Sequence, residues 1–358
     1  MTDKINSWNE TTWVSPSNIA LVKYWGKHGE QLPNNPSLSL TLKNSVTKTQ
    51  LRYRKLEKPV PDSGDLKVAY WFDGQRNKAF ERKVITYMGR LHTEMPYLQN
   101  FELEFRSTNT FPHSAGIASS ASSMSAIALC LVDMEKQLGL RKPPTQDVFR
   151  RASFLARLGS GSACRSVYGG WVAWGEDGLL PDSSDRYASP LEQPVPGQWQ
   201  NLRDAVLIVS SAHKKVSSTA GHGLMNNHPF AEGRYHQARK HLNCMMLALQ
   251  NGDEKTFIEV VESEALSLHG LLMASSADGM LLKPNSLNII NAVRAFREKT
   301  GLMICFTLDA GPNVHLLFRE EDKVLVRQFI QEELLSFCEN NQWIDDQVGK
   351  GPYKVENE

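Results

Sequence analysis

No apolar run in this chain approaches the roughly 20 residues that a membrane-spanning helix needs; residues 126–132 are among the longest. The opening MTDKINSWNETTW has no apolar stretch behind a basic one, so no secretory signal is expected. Cysteine is scarce. The five thiols at 130, 164, 244, 305 and 338 form no CxxC pair. An odd, scattered set fits reduced thiols and a cytoplasmic location better than a disulfide framework. Charge of either sign is not in excess: 40 Lys and Arg against 39 acids leave a net +1. Neither nucleic acid nor a membrane is therefore an expected partner, and any anionic ligand must be held by a local cluster. Fixed-period repeats and low-complexity tracts are also lacking.

What is present is an ordinary globular composition, 41% hydrophobic and 22% charged, over 358 residues. That length favours two domains. Alternation and β-branching predict strands at 13–14, 37–42, 47–53 and 101–107, with a loop at 57–64. An Ala-, Met- and Leu-rich helix is expected over 121–138, and another over 145–158 with Thr145 as its N-cap. Pro, Gly, Ser and Asp then crowd residues 175–200, which mark the boundary between expected domains 1–200 and 201–358. The second half predicts a strand at 205–210, helices at 229–250, 254–272 and 286–300, strands at 303–308 and 314–318, and a last helix at 321–337. Strands first, then mixed helices and strands, indicate an α+β class.

Five segments carry chemistry. FPHSAGIASSASS (111–123) runs small residues into a helix whose first amides have no internal partner and favour an anion. Its serines add donors, though a Ser-capped packing face explains the same pattern, and no Gly-Lys-Ser/Thr follows as a P-loop would require. GSGSACRSVYGG (159–170) sets Arg165 among hydroxyls, where its planar fork suits a carboxylate or phosphate, or an ordinary ion pair. SNIALVKYWGK (17–27) places Lys23 in an apolar stretch; buried, it needs an anion, and pointing outward it needs none. TLDAGPN (307–313) puts Asp309 at a strand end before a sharp turn, either as a general base or as a cap. VSSTAGHG (216–223) is a hydroxyl-rich phosphate cradle or a helix entry. The histidines at 213, 222, 228, 236 and 241 complete no recognised metal-ligand pattern.

In this order along the chain, SNIALVKYWGK, FPHSAGIASSAS, GSGSACRSVYGG, the later Ser-Ser-Thr and TLDAGPN resemble the mevalonate diphosphate decarboxylase family of the GHMP kinase superfamily, over roughly residues 13–318. The resemblance implies an N-terminal domain of left-handed β-α-β character, a C-terminal ferredoxin-like α/β sandwich and an active site in the cleft between them. It implies ATP-dependent decarboxylation of mevalonate 5-diphosphate to isopentenyl diphosphate through phosphorylation of the 3-hydroxyl, with Mg²⁺. By the same resemblance Asp309, Lys23 and Arg165 are catalytic. Asn18, Tyr24, Lys27, Ser160, Ser162, Ser217 and Ser218 contact substrate. Ser114, Ala115, Gly116, Ile117, Ala118, Ser119 and Ser120 hold ATP, with Ser120 also on the metal. Pro36, His113 and LLKPNSL (281–287) depart from the family pattern. A decarboxylase or 3-kinase acting on mevalonate 5-phosphate or mevalonate, and a catalytically silent small-molecule-binding protein on the same fold, stay open as alternatives. A homodimer is expected.

Overall fold

The computed structural model describes residues 7–61, 64–112, 117–140, 145–192, 195–212, 218–275 and 279–356. Two long antiparallel strands frame its first half: β1 (Asn9–Val22) and β4 (Ser37–Lys55). The two strands expected at 37–42 and 47–53 are one. The alternation breaks at 43–46, yet the backbone continues because Asp346 accepts the amides of Lys43, Asn44 and Ser45 at 2.9, 2.8 and 2.7 Å. A side chain from the far end of the sequence thus satisfies an irregularity that would otherwise end the strand. Opposite it, the register of β1 shifts between Pro16 and Asn18. Proline cannot donate to the ladder, and such a bulge re-aims the residues that follow it.

Around this pair lie β7 (Phe101–Asn109) and β5 (Val68–Phe72), which run parallel to each other, and a short β6 (Gln75–Arg76). The upper part of β4 instead pairs with β8 (Trp171–Trp174), which pairs with β9 (Ala188–Pro190). A two-strand hairpin, β2 (Lys27–His28) with β3 (Leu32–Pro33), projects beyond β1. The sheet is backed by α2 (Ser119–Gln137), buried on all sides over 121–135, and by α3 (Thr145–Gly159). A helix not anticipated from sequence, α1 (Lys78–Arg90), begins where Asn77 accepts the Phe80 amide at 2.9 Å. It buries Val84, Tyr87 and Met88 and presents basic residues on its other side.

After the short α4 (Gly197–Gln200), the second half builds an antiparallel sheet in the order β11 (Ile304–Thr307), β12 (Val314–Phe318), β10 (Arg203–Leu207), β13 (Trp343–Gln347). Helices α5 (Ser218–Gly223), α6 (Ala231–Asn251), α7 (Glu254–Ser275) and α8 (Pro284–Thr300) accompany it. The helix expected at 321–337 is broken. α9 (Lys323–Phe329) passes into a π turn, Ile330–Leu334, and a 3₁₀ turn, Leu335–Phe337. The wider turn lets Val326, Phe329, Ile330 and Leu334 all reach the core.

The halves share a core: Ile19, Leu21 and Leu38 of the first sheet pack in one cluster with Val206 and Leu317 of the second sheet, Leu242 of α6 and Phe257 of α7. The chain then returns, and β14 (Tyr353–Val355) joins the first sheet beside β1. Among the described residues no helix is long and apolar enough to cross a membrane.

Candidate active site

Lys23 follows directly on β1 and is 1% exposed, so its side chain does not point to solvent. Its Nζ lies 3.3 Å from Oδ1 of Asp309, which follows β11 and remains partly open to the cavity. Burial pushes the Lys23 ammonium below its ordinary range, and Asp309 acts against that shift. The apolar strand thus delivers a cation that is affordable only because a carboxylate meets it.

Arg165 sits in the 3₁₀ turn Gly161–Val167 and is 3% exposed. Nε donates to Oδ1 of Asn18 at 3.2 Å and Nη1 to Oγ of Ser37 at 2.7 Å. The guanidinium also lies 5.9 Å from the Trp174 ring centroid. No described residue accepts from Nη2, and no described carboxylate pairs with the group. Burial loosens the hold on its proton, and the charge of Asp309 opposes this only through space. A buried cation with a directed donor and no described counter-ion is suited to holding an anion. Asn18 is fixed in turn, its Nδ2 donating to Oγ of Ser166 at 2.7 Å and to the Ser162 carbonyl at 3.2 Å.

Both cations open on a cavity of about 510 Å³. Lys23, Lys27, Arg82, Lys83, Arg90 and Arg165 line it, against Asp309 as the one acid among the described lining residues. In a chain of net charge +1 the cavity therefore carries a local excess of positive charge. That concentration selects a ligand carrying several negative charges. The α1 contribution was missed from sequence; the signal was Asn77 as a cap before apolar residues at helical spacing. Ser37 and Ser166 were missed too, and only their approach to Arg165 and Asn18 reveals them.

Tyr24 packs edge-on against Trp174 at 4.6 Å between centroids and lies over His222 at 4.2 Å. Its hydroxyl is buried and meets no hydrogen-bond partner among the described residues. His222 is pushed down to about 3 by burial and then by Lys27 and Arg165, so it is neutral, with Nδ1 accepting the Gly26 amide at 3.1 Å. Lys27 reaches Gln31 at 2.9 Å, and burial followed by Arg90 lowers its proton affinity. Ser160 and Ser162 line the same cavity, and Ser160 Oγ is 3.4 Å from Ser120 Oγ. Ala118, at φ +44°, turns the backbone into α2, so Ser119 and Ser120 open that helix at the cavity. Ile117 points into the shared core instead, with its carbonyl accepting from Ser17 at 2.5 Å. Ser114, Ala115, Gly116 and Ser217, with the side chain of Ser218, lie outside the described residues.

Residues 15–187 match the diphosphomevalonate decarboxylase-like N-terminal domain, and residues 205–356 match the mevalonate 5-diphosphate decarboxylase C-terminal domain. The diphosphomevalonate decarboxylase of Gibberella zeae is 32% identical over 330 residues, covering 89% of this chain and 83% of the relative. The crystal structure of mevalonate diphosphate decarboxylase from Staphylococcus aureus superposes with a TM-score of 0.82 at 30% identity, over 99% of this chain and 100% of that one. A solved structure of MDDEF in complex with MVAPP, AMPPCP and magnesium gives a TM-score of 0.81 at 27% identity, over 98% and 100% of the two chains.

Proposed function

This chain belongs to the diphosphomevalonate decarboxylase family, and from that premise we propose how its cleft carries out the ATP-dependent decarboxylation of mevalonate 5-diphosphate. The reaction moves a phosphoryl group from ATP to the tertiary 3-hydroxyl. Loss of that phosphate with the C–O bonding pair, and of carbon dioxide from the neighbouring carbon, leaves isopentenyl diphosphate, ADP and phosphate. Asp309 accepts or orients the 3-hydroxyl proton. Lys23, 3.3 Å away, offsets the negative charge that gathers at the transferring group. Arg165 holds the substrate carboxylate through the Nη2 donor that its own surroundings leave unused. Asn18, Ser160 and Ser162 orient the same end of the substrate. Tyr24, Lys27, Ser217 and Ser218 take the diphosphate tail.

The donor set fits a magnesium nucleotide. Ala118, Ser119 and Ser120 open α2 at a cavity lined by Arg82, Lys83 and Arg90, and the amides of a helix start attract phosphate. We assign Ser114, Ala115, Gly116 and Ile117 to the same nucleotide loop, and Ser120 as the hydroxyl that would hold Mg²⁺, a hard cation that prefers oxygen. When bound, the metal supplies neutralising charge between the phosphates.

The observation that carries this reading is the pairing, on one cavity, of the buried Lys23 and the partly open Asp309 with Arg165, which meets no counter-ion among the described residues. Its test is an ADP-coupled assay with mevalonate, its 5-phosphate and its 5-diphosphate, run with carbon dioxide trapping. Equal ADP and carbon dioxide from the diphosphate alone is the expected result. ADP without carbon dioxide, or turnover favouring the monophosphate, overturns it. To the same reading belong a division into domains 1–200 and 201–358, a homodimeric assembly and a cytoplasmic location. The loop-rich stretch at 175–200, the frequency of two-fold symmetric oligomers and the scattered cysteines support these. Sedimentation at micromolar concentration tests the dimer.

A further inference from the structure

Lys23 and Asp309 come from different sheets, so their separation depends on how the two halves are held together. A single helix touches the backbone of both. On α7, Glu264 is fully buried and its Oε2 accepts the Lys23 amide at 2.7 Å. The same carboxylate takes Arg234 of α6 through both oxygens, at 2.5 and 2.7 Å, and contacts His241 Nδ1 at 2.6 Å. Arg234 Nη2 also donates to the Lys23 carbonyl at 3.1 Å, where Asn35 Nδ2 donates at 2.9 Å. Both polar groups of the Lys23 main chain are thus gripped by buried side chains. Five residues further along α7, His269 Nε2 lies 3.1 Å from the Asp309 carbonyl, which also receives the Gly311 amide at 2.7 Å. A carbonyl only accepts, so Nε2 carries the proton.

We propose that α7 sets the distance between Lys23 and Asp309, with Glu264 and His269 as positioning residues, one for each partner. This rests on the reading of Lys23 and Asp309 given above. Five residues advance about 7.5 Å along a helix, and a helix is rigid over that length. Fixing the Lys23 main chain at one point and the Asp309 carbonyl at the other therefore removes most of the freedom between the two sheets where the pair forms. Neither residue needs to touch substrate for its loss to slow the chemistry. A misplacement of about 1 Å can cost about a hundredfold in rate.

The decisive variants are His269→Gln and His269→Asn, both small enough to be accommodated. The Gln amide nitrogen reaches the place of Nε2, whereas the Asn nitrogen falls nearer Nδ1. Expected are a fall in kcat of about tenfold or more for His269→Asn, KM for substrate and ATP within about twofold in both, and recovery of most of kcat in His269→Gln. Equal kcat in the two variants overturns the inference, whether both stay near wild type or both fall together with the melting temperature. Asp309→Asn, assayed alongside, separates the two levels: normal turnover there overturns the reading of the site itself, and the inference with it. Lost turnover in Asp309→Asn with an indifferent His269 pair overturns the inference alone.

Discussion

Lys23 and Asp309, 286 residues apart in sequence, meet at 3.3 Å with the lysine buried and the aspartate partly open to the cavity. The asymmetry suits a couple in which the acid faces substrate and the lysine stands behind it. Asp309→Asn keeps the size of the side chain and most of its ability to cap the following turn, but removes the base. Turnover should fall by at least about a hundredfold, with ATP and substrate still binding by calorimetry and the melting temperature little changed.

Arg165 has hydrogen bonds but no described carboxylate against it, so its charge costs stability while no ligand is present. Arg165→Gln should leave the melting temperature unchanged or raised and abolish activity. Arg165→Lys keeps the charge without the fork, and kcat/KM should drop by about a hundredfold or more. A steep loss of stability in either variant, with kinetics intact, would show a structural arginine instead.

Gly161 packs tightly against Tyr24 and Trp174 in the site. A Cβ there would lie 2.7 Å from the Tyr24 hydroxyl and 3.0 Å from the Trp174 ring. Gly161→Ala must therefore displace Tyr24, at a cost of about 1–3 kcal/mol. Denaturant unfolding should register that loss, and KM for substrate should rise more than KM for ATP.

Ser120 is the hydroxyl assigned to the metal at the start of α2. Ser120→Ala should raise the magnesium concentration needed for half-maximal rate several-fold and leave the fold unaltered. A magnesium titration of initial rate at saturating ATP reads this directly.

Glu264 supplies a pH signature. Burial raises its affinity for protons, but Arg234, His241 and the Lys23 amide outweigh burial and bring it to about 2, below an ordinary 4.5. A depressed carboxyl contributes stability that is complete above its unfolded value and is lost as pH falls through its folded value. The acid limb of the stability curve between about pH 4.5 and 2 should therefore flatten in Glu264→Gln. That variant will also be weaker at neutral pH, because it leaves Arg234 buried without its partner.

Local sequence is enough to place the chemistry-bearing segments in their order, and most helices and strands with them. α2, α3, α6, α7 and β12 fall close to where periodicity and caps put them, because those signals act over a few residues. The motifs likewise name Lys23, Arg165 and Asp309 as residues whose surroundings matter. Whether Lys23 points outward or inward, and whether Arg165 has an ion-pair partner, depend on which distant segments arrive beside them. Burial and electrostatics are set by that arrival, not by neighbours in the chain. The same holds for the continuity of β4, decided by Asp346, and for the cationic side of α1 turning into the cavity. It holds again for Glu264 and His269, which occupy ordinary positions in a helical pattern. Only the tertiary structure brings them against Lys23 and Asp309, because buried charges and unpaired backbone groups must find partners wherever the fold supplies them.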